Sequence, residues 1–154
     1  MQDTVTDPAG KVLVLDYTMP SQVVLFGHLA VRVEDALPDL PDIAFSANLC
    51  LEELITNTIQ YGLDSAPDHT IHICMRRSSD CLEIMVRDDA PAFDPFHDVA
   101  APDLQLGLDA RAIGGLGVHL VRMLMDEVRA SYDGTGNLIT LKKMLKPPGS
   151  LQTL

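Results

Sequence analysis

Glu53, Asn57 and Gln60 stand close together in "LEELITNTIQYG", residues 51–62. The stretch reads as a helix, and residues four apart on a helix share a face. Glu53 could therefore accept a proton from an attacking hydroxyl. Asn57 could offer an amide oxygen to Mg²⁺, a hard cation that takes oxygen ligands and is usually completed by phosphates and water. Gln60 extends the stripe by one turn. Glu52 is rotated by about 100° from Glu53 and fits the base role less well. An isolated E-x-x-x-N is as a rule a solvated helix face, so what accompanies it decides.

Three further places hold chemistry-bearing residues. In "VRDDAPAFDP", Asp88 continues the strand face of Leu82, Ile84 and Val86 and stands where a long loop begins. It reads equally as a turn aspartate or as an acceptor for a ligand amino group such as that of adenine. In "IGGLGVHL", Gly115, Leu116 and Gly117 lead into a helix. Glycines before a helix let backbone N–H groups approach an anion, which the helix N-terminus favours. The alternative is a plain flexible turn. No G-K-[ST] follows, and no strand directly precedes as the dinucleotide fingerprint requires. In "NLITLKK", Thr140 shares a face with Leu138; it is either a good strand former or a residue beneath a ligand beside Asp88. Zinc and Ser-His-Asp chemistry are set aside, because H-E-x-x-H, C-x-x-C and G-x-S-x-G are all missing.

The elements that must position these groups follow from periodicity. "KVLVLDY" reads as a strand. A helix follows, with Ser21 as its expected cap, and "LPDLPD" breaks it. Asp39 or Asp42 is expected to cap the helix that carries Glu53. "TIHICMRR" and "CLEIMVRD" alternate with period two and form a hairpin about "SSD". Residues 89 to about 114 contain three prolines and no sustained period. A loop longer than about 15 residues in a compact domain is usually functional or disordered. "GGLGVHLVRMLMDEV" opens into a helix, and "VRASYD" and "LITLKK" close the chain as a hairpin about "GTGN". The order β-α-α-β-β-loop-α-β-β predicts an α/β two-layer sandwich, with helices on one face of a mixed β-sheet. One domain is expected over residues 11–145, with residues 1–10 and 146–154 as flexible tails.

The chain has 154 residues and carries 22 acids against 11 bases. A net charge of −11 without clustered bases argues against direct nucleic-acid binding and is compatible with a basic protein partner. Three cysteines without framework spacing fit a reducing cytoplasm. The N-terminus is acidic and unlike a signal peptide, and no apolar run reaches the roughly 20 residues of a membrane span.

Taken in order, the E-x-x-x-N helix, the strand-end aspartate, the G-G-x-G helix start and the final L-x-T-L strand resemble the GHKL ATPase superfamily. "RDDAPAFDP", "GGLGVHLVRMLMDEV" and "GNLITLKK" are similar to the stand-alone serine-kinase branch, the bacterial anti-sigma factors. The resemblance spans roughly Leu13 to Leu145. It implies ATP and Mg²⁺ as cofactors, Glu53 as general base, Asn57 as magnesium ligand and Asp88 as adenine-binding carboxylate. It further implies that Gly115, Leu116 and Gly117 approach the phosphates, that Thr140 lies near the adenine, and that residues from about 93 to 114 form an ATP lid. The implied function is a cytoplasmic serine-protein kinase that phosphorylates a STAS-domain antagonist and withholds a sigma factor. A homodimer is compatible with it. Two places depart from the family pattern. Ala90 and Ala92 stand where D-x-G-x-G has glycines, and Tyr61 replaces the usual histidine. The alanines motivate an alternative, a regulatory binding module with weak nucleotide affinity or none. A histidine-kinase catalytic fragment fits less well, since only about twenty residues precede the first expected helix.

Overall fold

The computed structural model describes residues 4–98 and 115–145. Five strands make one sheet in the order β1-β2-β3-β5-β4: β1 Val12–Pro20, β2 Thr70–Arg77, β3 Cys81–Arg87, β4 Glu127–Tyr132 and β5 Asn137–Met144. Three α-helices accompany it among the described residues: α1 Phe26–Ala36, α2 Pro41–Asn57 and α3 Gly115–Leu124. The two-layer α/β expectation is met. The sheet expected to be mixed is antiparallel at each of its four described pairings. Two of these pairings are hairpins: short turns join β2 to β3 and β4 to β5, and a short turn reverses the chain.

One face of the sheet is apolar and carries the helices. Ile73 and Met75 on β2, Ile84 and Val86 on β3, and Ile139 and Leu141 on β5 are buried in register across the three central strands. Leu29 and Val33 of α1 and Leu51 and Leu54 of α2 belong to the same core. Each such side chain, fully buried, contributes about 1.5–3 kcal/mol of transfer free energy. The opposite face is polar or half-buried, with Glu83, Met85, Thr140 and Lys142 along it.

Element ends differ from the sequence expectation in instructive ways. Ser21 caps no helix. Its hydroxyl donates to Ala66 O at 2.6 Å and accepts from His69 N at 3.1 Å, which ties the end of β1 to the loop before β2. Helix α2 starts with Pro41 at its first position, where the missing N–H costs nothing, and Asp42 sits in the first turn. Asp39 instead forms two hydrogen bonds with Arg77 at 2.8 and 3.0 Å. Helix α3 stops at Leu124, because Asp126 N already donates to Lys142 O at the start of β4. In the 5–12 segment, Leu13 N donates to Val5 O at 3.0 Å and the Asp7 carboxylate accepts from Ala9 N and Lys11 N, so a turn lies within the expected N-terminal tail.

Candidate nucleotide site

Helix α2 does not end at Asn57 but widens into a π turn over Thr58–Gly62, closed by Leu63 N donating to Thr58 O at 2.9 Å. Such turns are rare and occur frequently at functional sites. The wider turn changes which residues share a face. Asn57 is buried, 5% exposed, whereas Gln60 is exposed, so Gln60 drops out of the stripe expected from a regular helix. Glu53 is half-buried and Glu52 exposed, as the rotation about the axis requires.

The structure brings Glu53 against the start of α3. A methyl group placed on Gly117 would lie 2.0 Å from Glu53 Oε2. Only a hydrogen there lets the carboxylate lie against the first turn of a helix, where the dipole favours negative charge. Leu116, 45% exposed, lines a cleft of about 460 Å³ with Glu53, Gly117, His119, Leu120 and Met123. Gly115 opens α3. Most of the expected lid, residues 99–114, lies outside the described residues. Its described root, 94–98, is fastened to α3: Arg122 donates to Phe96 O at 2.8 Å and stacks on the Phe96 ring at 5.2 Å. The sequence reading missed this anchor; the only signal was an aromatic inside a polar, proline-rich run.

One helical turn from Glu53, the buried Asn57 amide nitrogen has no hydrogen-bond partner among the described residues. A buried orphan of this kind costs about 1–3 kcal/mol and asks for an explanation. The orphan is the nitrogen as the amide is oriented; turning the amide over would bring its oxygen to that place.

Asp88 stands at the other end of the helix. It is 6% exposed. Its Oδ1 accepts from Ala90 N and from Asn137 Nδ2, both at 2.9 Å. Asn137 is also buried, and it binds the rest of the turn: Nδ2 donates to Pro91 O at 3.0 Å, and Oδ1 accepts from Phe93 N at 2.9 Å. Ala90 is 2% exposed, and its methyl lies against Gly62, 3.2 Å from where a side chain there would begin. Ala92 is exposed.

Thr140 is not beside Asp88. It pairs with Met85 on one side and Arg129 on the other, and with them it lines a cleft on the open face of the sheet. Side chains alternate along a strand, so a residue three positions from Asn137 must face the other way. The neighbour of Asp88 is Asn137, whose carbonyl also accepts from Asp88 N at 3.1 Å. The signal was available: Asp88 continues the face of Val86, and Val86 pairs with Ile139. Gly136 was missed as well. A methyl there would stand 1.9 Å from Asp88 O, so the backbones can meet only at a glycine.

One helix thus touches a carboxylate turn at Gly62 and a glycine-started helix at Glu53, with an unpaired amide between. Such a wall could hold a polar base at one end and an anion at the other. The chain belongs to the histidine kinase-like ATPase domain family, which matches residues 20–143. It is 28% identical over 97 residues to the serine-protein kinase RsbW of Listeria monocytogenes serovar 1/2a, a match covering 61% of this chain and 62% of that one. To the serine-protein kinase RsbW of Bacillus licheniformis it is 27% identical over 121 residues, covering 76% and 72%. To the serine/threonine-protein kinase BtrW of Bordetella bronchiseptica it is 25% identical over 105 residues, covering 68% and 73%. The chain therefore spans less than two thirds of the Listeria relative. Among solved structures, the histidine kinase domain from Erythrobacter litoralis EL346 blue-light activated histidine kinase superposes with a TM-score of 0.48 at 18% identity, covering 81% of this chain and 61% of that one. No helix among the described residues is long and apolar enough to cross a membrane.

Proposed function

We propose that this chain is an ATP-dependent serine-protein kinase of the anti-sigma type. The observation that carries the reading is the contact of the Glu53 carboxylate with Gly117 at the start of α3, one turn from the unpaired amide of Asn57. The names of the relatives support protein-serine phosphorylation. The sequence resemblance supports a STAS-domain antagonist as substrate and a sigma factor as the competing partner. The same reading treats residues 11–145 as one functional unit working in the cytoplasm.

The chemistry follows from placement. Asp88 would accept a hydrogen bond from the adenine amino group. The first turn of α3, with Gly115 and Gly117, would present backbone N–H groups to the phosphates. Glu53 would take the proton of the serine hydroxyl as its oxygen attacks the γ-phosphorus and the bond to the β-phosphate oxygen breaks. Phosphoryl transfer depends chiefly on positioning and charge stabilisation, so one base and a few dipoles suffice. Asn57 would hold Mg²⁺ through its amide oxygen, which a turn of the amide would bring to the orphaned position. The ion supplies positive charge that a chain with 22 acids and 11 bases provides poorly.

Incubation with labelled ATP and STAS-domain proteins should yield phosphoserine on one of them. Glu53→Gln should keep ATP binding and lose transfer; transfer at the original rate would remove Glu53 as the base. The rival reading, a module that holds no nucleotide, rests on Ala90 and Ala92. The Ala90 methyl is turned toward Gly62, which favours the kinase reading.

A further inference from the structure

Asn137 does more than close a turn. Each polar atom of its side chain has a fixed partner: Nδ2 serves Asp88 Oδ1, Pro91 O and, at 3.3 Å, Ala90 O, and Oδ1 receives Phe93 N. Flipping the amide would set its nitrogen against an N–H and its oxygen against three acceptors, so the orientation is determined. The backbone beneath it is equally fixed, by Asp88 N on Asn137 O and by the close approach of Gly136 to Asp88 O.

The consequence falls on Asp88. An ionised carboxylate has two oxygens with about two acceptor positions each. Oδ1 already receives two N–H groups, from Ala90 and Asn137. Among the described residues no donor reaches Oδ2. The buried aspartate therefore offers a ligand one oxygen, not two.

Purine edges differ in this respect. Guanine presents a ring N–H and an amino N–H side by side, which a carboxylate with two open oxygens accepts together. Adenine presents only its amino donor, beside a ring acceptor. Where one oxygen is occupied, guanine would bury a donor with no acceptor, and adenine would not. We infer that Asn137 is the specificity-determining positioning residue of the base end: by saturating Oδ1 of Asp88 it makes the site select a single-donor adenine edge over guanine. The inference rests on the nucleotide reading above and adds the residue that sets the choice of base.

The test is competitive binding of ATP and GTP, each with Mg²⁺, to the full chain and to Asn137→Ala. The original chain should prefer ATP by at least about tenfold, the scale of one unsatisfied buried donor. Asn137→Ala should lose most of that preference, with GTP gaining on ATP. A purely structural role would weaken both nucleotides alike and leave their ratio unchanged. Asn137→Ser, whose shorter side chain cannot hold Oδ1 at the same place, is read in the same way should the alanine variant not fold. In the original chain N6-methyl-ATP, which keeps one N–H, should bind within about threefold of ATP, and N6,N6-dimethyl-ATP should lose about tenfold. A folded variant that binds ATP with the original ATP-to-GTP ratio overturns the role of Asn137 alone. Failure of the original chain to bind either nucleotide overturns the nucleotide reading itself.

Discussion

The two ends of helix α2 with its π turn are built differently. At the Gly62 end, the Asp88 turn is buried and held by five hydrogen bonds among Asp88, Ala90, Pro91, Phe93 and Asn137. At the Glu53 end, a half-buried carboxylate lies against Gly117 beside an open cleft and an unpaired amide. The first end is fixed before any ligand arrives. At the second, the Asn57 amide nitrogen has no partner among the described residues. The proposed nucleotide reading asks for this asymmetry: rigidity where a base is selected, free polar capacity where bonds are made.

Glycine substitutions separate the two ends most sharply. Gly136→Ala forces a methyl into the backbone carbonyl of Asp88, which cannot swing aside. It should cost about 3 kcal/mol or more, read as a lower urea midpoint. Gly117→Ala meets the Glu53 side chain from Oε2 back to Cγ, and no backbone. It should leave stability unchanged or raise it by up to about 1 kcal/mol, because alanine suits a helix better, while phosphoryl transfer falls at least about tenfold as Glu53 is displaced. Equal losses of stability in the two variants would erase the contrast.

A smaller effect is expected at Ala90. Ala90→Gly removes a buried methyl and should cost about 1 kcal/mol. ATP affinity should change less than about threefold, because the methyl packs on Gly62. A large gain in affinity would instead show that Ala90 obstructs the base. The smallest effect concerns Cys50, which burial pushes up to about 11 from its ordinary 9.0. A thiol raised in the folded state stabilises the fold fully below the unfolded value. That contribution fades as pH rises from about 9 to about 11. Native Cys50 should accordingly resist alkylation at pH 8, with labelling rising only on unfolding.

What the sequence revealed depended on which periodicity governed each residue. Helical spacing was enough to pair Glu53 with Asn57, and strand alternation to place Asp88 on the core face. Gln60 leaves the face that helical spacing predicts, because a regular period cannot show a π turn. For Thr140 the L-x-T-L resemblance implied a place near the adenine, whereas parity across the β3–β5 pairing points to Asn137. Gly136 and the Arg122–Phe96 anchor arise from contacts between segments distant in sequence, which no local pattern records.

The most direct measurement is calorimetric titration of Mg-ATP into the full chain, alongside Asp88→Asn. Saturable binding at submillimolar nucleotide, weakened at least about tenfold by Asp88→Asn, is the predicted result. No heat of binding at millimolar Mg-ATP, from a chain shown to be folded, would contradict it.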